Sequence, residues 1–171
     1  MELQEASVPF EGLLFRVFQQ PGNRSGGGSV VALASPHGGA GVSQITHALA
    51  EELRRDGDQP AIAVRASQLG GDSGRSTQAN LSSTVEEIRR KYRYALIDCG
   101  SMKASQHAVK LAPLVDGVVL VLEANRTQTD QILYAERTLE GVNGRVLGHV
   151  LNKRTYAIPE WLHRMMDAIG I

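Results

Sequence analysis

Apolar residues gather in five short runs along this chain, and the stretches between them space their apolar positions as helices do. The first run, Val30-Val31-Ala32-Leu33-Ala34, has no polar break and predicts a buried strand, and Gln44 to Asp56 follows with helical spacing. Ala61 to Val64, Arg93 to Asp98, Gly117 to Glu123 and Val146 to Leu151 predict four further strands. Val85, Ile88 and Tyr92 fall three or four apart on one predicted helix, and Ile132, Leu133 and Leu139 mark another. Leu69 to Asn80 is rich in Gly, Ser, Thr and Gln without a period and reads as a loop. Strands that alternate with helices and are apolar throughout predict an α/β fold: a mainly parallel sheet covered by helices on both faces. Ligands of such sheets sit at the carboxyl ends of the strands. Ser35 to Ser43, Arg65, Asp98 and Asn152 all fall there.

Ahead of the first strand, Glu11 to Gln20 is apolar on one side and predicts a short helix, and Pro21 to Gly28 reads as a flexible linker. Residues 1–28 therefore form a lead-in, and residues 29–171 a single domain, a size that can bury a sizeable core. Phe15, Val17 and Phe18 on the lead-in helix need apolar cover, from their own core or from a partner. The same ambiguity attaches to the stripe of Trp161, Leu162, Met165 and Met166, which reads first as core packing.

Lys plus Arg and Asp plus Glu both number 18, which leaves no basic footprint for nucleic acid. The run Arg89-Arg90-Lys91 with Arg93 reads as the solvated end of a helix. A single cysteine, Cys99, excludes an internal disulfide and suits a reducing compartment, and its place after a buried strand suggests a packing role. The five histidines show no metal-ligand spacing. No apolar stretch reaches the roughly 18 residues that span a bilayer, and Met1 to Glu5 lacks the basic start of a secretory signal, so a cytoplasmic location is expected.

Candidate chemistry concentrates in Ser35-Pro-His-Gly-Gly-Ala-Gly-Val-Ser43, between the first strand and the first helix. Closely spaced glycines allow successive backbone N–H groups to converge on an anion at the helix N-terminus, where the helix dipole adds positive charge. In a phosphate-binding loop a lysine then reaches the β- and γ-phosphates, and the following Ser or Thr binds magnesium. Here Ser43 is kept and Val42 occupies the lysine's place. Candidate anion-binding residues are Gly38, Gly39, Ala40, Gly41, Val42, Ser43 and Gln44, with Arg65 as a substitute charge. Ser43 and Asp98 are the only candidate metal ligands, and Asp98 reads equally as a capping or turn residue.

The Ser-Pro opening followed by Gly39-x-Gly41 resembles the loop of bacterial tyrosine kinases of capsule and exopolysaccharide biosynthesis, and more distantly that of MinD/ParA-type septum-site and partitioning ATPases. In that resemblance Arg93 to Asp98 looks like the Walker B strand, with Asp98 its residual acid, and Val115 to Ala124 like the next core strand. Arg145 to Lys153 looks like the strand ending beside the base, where Asn152 would read the adenine edge. Ile158-Pro159 with Trp161, Leu162 and Arg164 is similar to the family's C-terminal segment. The fold implied is a P-loop NTPase-like domain reduced in size.

The departures from the pattern matter as much. The family's Asp-x-Asp, which helps to hold magnesium and activate the attacking hydroxyl, is replaced by Arg65-Ala66-Ser67, and a guanidinium cannot ligate a hard cation. His37 replaces the signature lysine of the partitioning ATPases, and the segment from Ala66 to Arg93 is short. The C-terminal tyrosine cluster is missing, Tyr156 being the last tyrosine, and Leu13-x-x-Arg16-x-x-Gln19 keeps one residue of the oligomerisation motif. The resemblance thus implies a degenerate member, an interaction or regulatory module for a membrane polysaccharide co-polymerase or export protein on its cytoplasmic side. Self-association is compatible with it. No cofactor is required; weak ATP, ADP or phosphate binding is expected, with magnesium doubtful. An active ATPase or tyrosine kinase using a non-standard basic residue, and a MinD/ParA-like positioning protein, stand as alternatives.

Overall fold

The computed structural model describes residues 28–55, 60–69 and 78–153. In chain order these form β1 (Ser29–Ser35), α1 (Val42–Arg55), β2 (Ala61–Arg65), a 3₁₀ turn (Ala66–Gln68), α2 (Gln78–Lys91), β3 (Tyr94–Ser101), α3 (His107–Leu111), β4 (Gly117–Glu123), α4 (Thr129–Glu140) and β5 (Val146–Asn152). The strands make one sheet in the order β2-β3-β1-β4-β5, every pair parallel. All seven residues of β1 are buried, as its central place requires. β1 is flanked by β3 on one side and β4 on the other, so the chain reverses its direction of growth across it. That reversal opens a crevice at the carboxyl ends of the strands.

Alternation along the strands divides the apolar residues between two cores. Val31 and Leu33 of β1 pack with Val42, Leu49, Ala50 and Leu53 of α1 on one face. Val30, Ala32 and Ala34 pack on the other with Leu81 and Val85 of α2, Leu111 of α3, and Ala135 and Leu139 of α4. Helices therefore cover both faces, as the pattern predicts. Each fully buried Leu or Val contributes roughly 1.5–3 kcal/mol, and so α1, with Leu49 at 2% exposure, is fixed by packing rather than by helix propensity.

The structure corrects several expectations. α2 begins at Gln78, inside the segment read as a loop to Asn80. Its first three residues, Gln78, Ala79 and Asn80, are exposed and bring no large apolar side chain, which hides the helical period, while Leu81 and Val85 anchor the next turns. β3 runs three residues past Asp98, to Ser101. Arg89 is not solvated: its side chain is 6% exposed, and Nη1 donates to Asp116 Oδ2 and to the Gly28 carbonyl, both at 2.8 Å. It falls four residues after Val85 and so shares the helix face turned to the sheet. Gly28, assigned to the linker, is buried, and its N–H donates to the Arg89 carbonyl at 2.9 Å. A side chain there would overlap the Tyr92 carbonyl. Phe15, Val17, Phe18 and the stripe from Trp161 to Met166 lie outside the described residues, as does most of the Leu69 to Asn80 segment.

Candidate functional site

The glycine loop leaves β1 at its buried end and enters α1 at Val42. Gly39 and Gly41 have φ of +89° and +87°, a backbone conformation that L side chains rarely adopt. A side chain at Gly41 would also collide with the Asn152 amide. Asn152, at the end of β5, donates from Nδ2 to the Ala40 carbonyl at 2.8 Å. In this structure it buttresses the loop, so the amide expected at an adenine edge is already engaged. Ser35 Oγ donates to the His37 carbonyl at 2.6 Å and closes the start of the loop.

Val42 is 6% exposed and belongs to the α1-side core. The side chain at this loop position therefore packs inward against the core. Ser43 and Asp98 are brought together: the Ser43 hydroxyl donates to Asp98 Oδ2 at 2.6 Å, and the Gly100 N–H donates to Oδ1 at 3.0 Å. The serine and the residual acid are thus already paired at the foot of the loop. Arg65 is the register partner of Asp98 on the neighbouring strand. Paired residues of adjacent strands project from the same face, so Arg65, which is exposed, stands beside Asp98 on the α1 side.

The cleft over the loop, about 270 Å³, is lined by residues 37–44 with Gly100 and Ser101. The Ser101 hydroxyl is buried and has no hydrogen-bond partner among the described residues. A larger groove, about 1010 Å³, lies between α3 and α4 and touches the loop only through Pro36 and His37. The loop backbone and Ser43 line the smaller cleft, and Ser43 in turn meets Asp98 beneath it. Gln44 is exposed in the first turn of α1, its Oε1 near Gly41.

A second group at this end was not legible from the motif. Glu123, closing β4, accepts Arg126 Nη1 on Oε2 at 2.9 Å and Lys153 Nζ on Oε1 at 3.2 Å. Burial pushes its carboxyl up, but the hydrogen bonds and charges of Lys153 and Arg126 outweigh that and hold it below its usual 4.5. The Arg126 guanidinium lies against the loop, where Nη1 would sit 3.0 Å from a Cβ added to Gly39. Thr127 Oγ1 accepts the Glu123 N–H at 2.8 Å and lies 2.8 Å from His37 Nε2, while His37 Nδ1 lies 3.0 Å from the Gly38 carbonyl. With Nδ1 protonated and the threonine hydroxyl donating to Nε2, every one of these contacts is satisfied. The signal available in the sequence was the strand-end rule itself, applied to Glu123 as it was to Asp98.

Cys99 follows Asp98 but faces the opposite core, and burial first, then the Asp98 charge, pushes its thiol up to about 12. It packs, as expected, and is not a nucleophile at neutral pH. Among the described residues no group of three or more His, Cys, Asp and Glu could hold a metal ion by itself. Ser43 with Asp98 does suit a magnesium ion that takes its remaining ligands from water and phosphates, the usual way this ion is bound.

A central β1 between β3 and β4, with a glycine loop running into α1, defines a P-loop NTPase-like fold of the MinD/ParA type. Its likenesses to known proteins agree. The succinoglycan biosynthesis transport protein ExoP of Rhizobium meliloti is 29% identical over 91 residues, which are 49% of this chain and 12% of ExoP. The chain thus corresponds to a small part of that protein. The kinase domain of the Escherichia coli tyrosine kinase ETK matches with a TM-score of 0.61 at 15% identity, over 76% of this chain and 70% of that domain. The septum site-determining protein MinD of Pyrococcus horikoshii, complexed with Mg-ADP, matches with a TM-score of 0.60 at 17% identity, over 81% and 77% of the two chains. At these identities the solved structures establish the fold. No protein-family model matches the chain. Tyrosine kinase domains and a septum-site ATPase are thus its structural neighbours, as the resemblance implies.

Proposed function

We propose that this chain is a catalytically degenerate tyrosine-kinase- and ATPase-like domain that acts as an interaction or regulatory module in bacterial exopolysaccharide synthesis and export. The observation that carries the proposal is Val42, buried in the core where the loop's lysine belongs, in a site whose remaining acid, Asp98, has Arg65 as its strand neighbour. Phosphoryl transfer relies almost wholly on positioning and electrostatic stabilisation by lysine and metal. Losing one charge-assisted bond to phosphate costs about 1.5–3 kcal/mol, and weakening the metal site removes the main stabiliser that remains. The ExoP similarity supports the pathway, and a membrane co-polymerase or export protein is the partner it points to. The domain would then work on the cytoplasmic side of the inner membrane, held there by that partner. Among the described residues no helix is long and apolar enough to cross a membrane.

The loop remains an anion site in this reading. Its amides from Gly38 to Ser43 bind ADP, ATP or phosphate weakly, with little help from magnesium, and no cofactor is required. The test is a coupled ATPase assay and a tyrosine phosphorylation assay on the intact chain beside a Ser43→Ala, Asp98→Ala control. Activity equal to the control is expected, and turnover clearly above it overturns the proposal. The competing reading, a working ATPase or tyrosine kinase with an unusual cation, has the retained Ser43–Asp98 pair in its favour. Magnesium-dependent turnover would select it.

A further inference from the structure

The loop lacks its lysine, yet a guanidinium lies against it. Arg126 follows β4, the strand hydrogen-bonded to β1, so the turn that carries it stands beside the residues leaving β1. Its Nη1 lies 3.0 Å from where a Cβ on Gly39 would stand, so it occupies the space beside that glycine. Arg65, a further cation at this end, sits on β2, with β3 between it and β1.

The partners of Arg126 are arranged for release. Glu123 divides its two oxygens between two cations, Oε2 to Arg126 and Oε1 to Lys153. The trio therefore carries a net single positive charge beside the loop. When Arg126 turns away, Lys153 still neutralises Glu123, so no carboxylate is left uncompensated. The side chain of Arg126 is 60% exposed, whereas that of Glu123 is 13% exposed, so the arginine can move while the acid stays. Asn125, between Glu123 and Arg126, and Lys153 itself hold φ of 61° and 56°, values uncommon outside glycine. In the cleft itself, the buried Ser101 hydroxyl without a partner among the described residues marks room for an acceptor.

We infer that Arg126 supplies the cation of this loop: it leaves Glu123 to bind the phosphates of a nucleoside diphosphate seated on the Gly38 to Ser43 amides, in place of the lysine that Val42 has replaced. Guanidinium and phosphate match in a bidentate geometry that an ammonium lacks. Glu123 acts as the competitor that sets how much of this charge is available. This rests on the reading of the loop as an anion site given above.

The test is calorimetry on the intact chain with ADP and, separately, pyrophosphate at low salt. Arg126→Ala is expected to weaken both at least tenfold, and Glu123→Gln to tighten both several-fold by removing the competitor. Arg126 is an exposed side chain, and a gain of affinity in Glu123→Gln cannot come from damage to the fold. Melting temperature is followed for each variant. Binding unchanged in Arg126→Ala but lost in Arg65→Ala assigns the charge to Arg65 and overturns the inference while leaving the loop an anion site. A loss for ADP with none for pyrophosphate also overturns it, because the contact is then not to phosphate. Absence of ADP and pyrophosphate binding by the unaltered chain overturns both this inference and the anion-site reading.

Discussion

Val42→Lys restores the missing cation at the position the loop was built for, and the structure sets what it should cost and return. Val42 is 6% exposed in the α1-side core, so removing it forfeits most of the roughly 1.5–3 kcal/mol of a fully buried valine. The lysine stem recovers part of this by lying along the same apolar surface. A net loss of about 1–2 kcal/mol is expected, which for a domain of this size lowers Tm by about 2–8 °C. In return, the ammonium can make a charge-assisted bond to phosphate, about 1.5–3 kcal/mol, or roughly ten- to a hundredfold in ADP affinity. Hydrolysis should stay at the level of the unaltered chain, because Arg65 still stands beside Asp98 and no second carboxylate has been added. Differential scanning calorimetry, titration with ADP with and without magnesium, and a coupled ATPase assay read the three quantities. An unchanged Tm would mean that Val42 does not pack as described. Tighter binding with magnesium-dependent hydrolysis would refute the argument that Arg65 is a second, independent defect.

Three further outcomes are expected. Arg89→Ala leaves Asp116, 15% exposed, with the Val30 N–H but without its cation, and should destabilise in urea titration by up to about 3–5 kcal/mol, the cost of breaking a fully buried pair; Arg89→Met with Asp116→Leu should cost less, and equal costs would show that the pair is not coupled. Glu123 is held below its usual 4.5, so its contribution to stability is complete above that pH and is lost as the pH falls through the lower, folded value. Melting curves from pH 7 to pH 3 should therefore lose less stability in Glu123→Gln than in the unaltered chain, and parallel curves would contradict this sign. The Cys99 thiol, pushed up to about 12 and buried, should resist a thiol reagent at pH 8 until denaturant is added, and rapid labelling of the native chain would show that it is accessible.

Much of the fold was legible because a parallel sheet buries both faces of its strands. Runs such as Val30 to Ala34 and Gly117 to Glu123 are apolar without interruption, and a local pattern suffices to find them. The loop was legible for a related reason: glycines at 39 and 41 are demanded by the backbone itself, with both φ angles near +90°. What a linear pattern does not carry is the side on which a long polar residue lands. Arg89 reads as one more charge in a basic run and is buried, because its helix face meets Gly28 and Asp116, 61 and 27 residues distant. Asn152 reads as a residue for a base and instead braces Ala40, 112 residues away. Arg126 sits in an ordinary polar turn and reaches Gly39 only because β4 is hydrogen-bonded to β1. The strands and the glycine turn follow from energies within a few residues of one another, whereas the charges around the loop are set by which strands the sheet makes neighbours, and that is settled only when the two cores close on its faces.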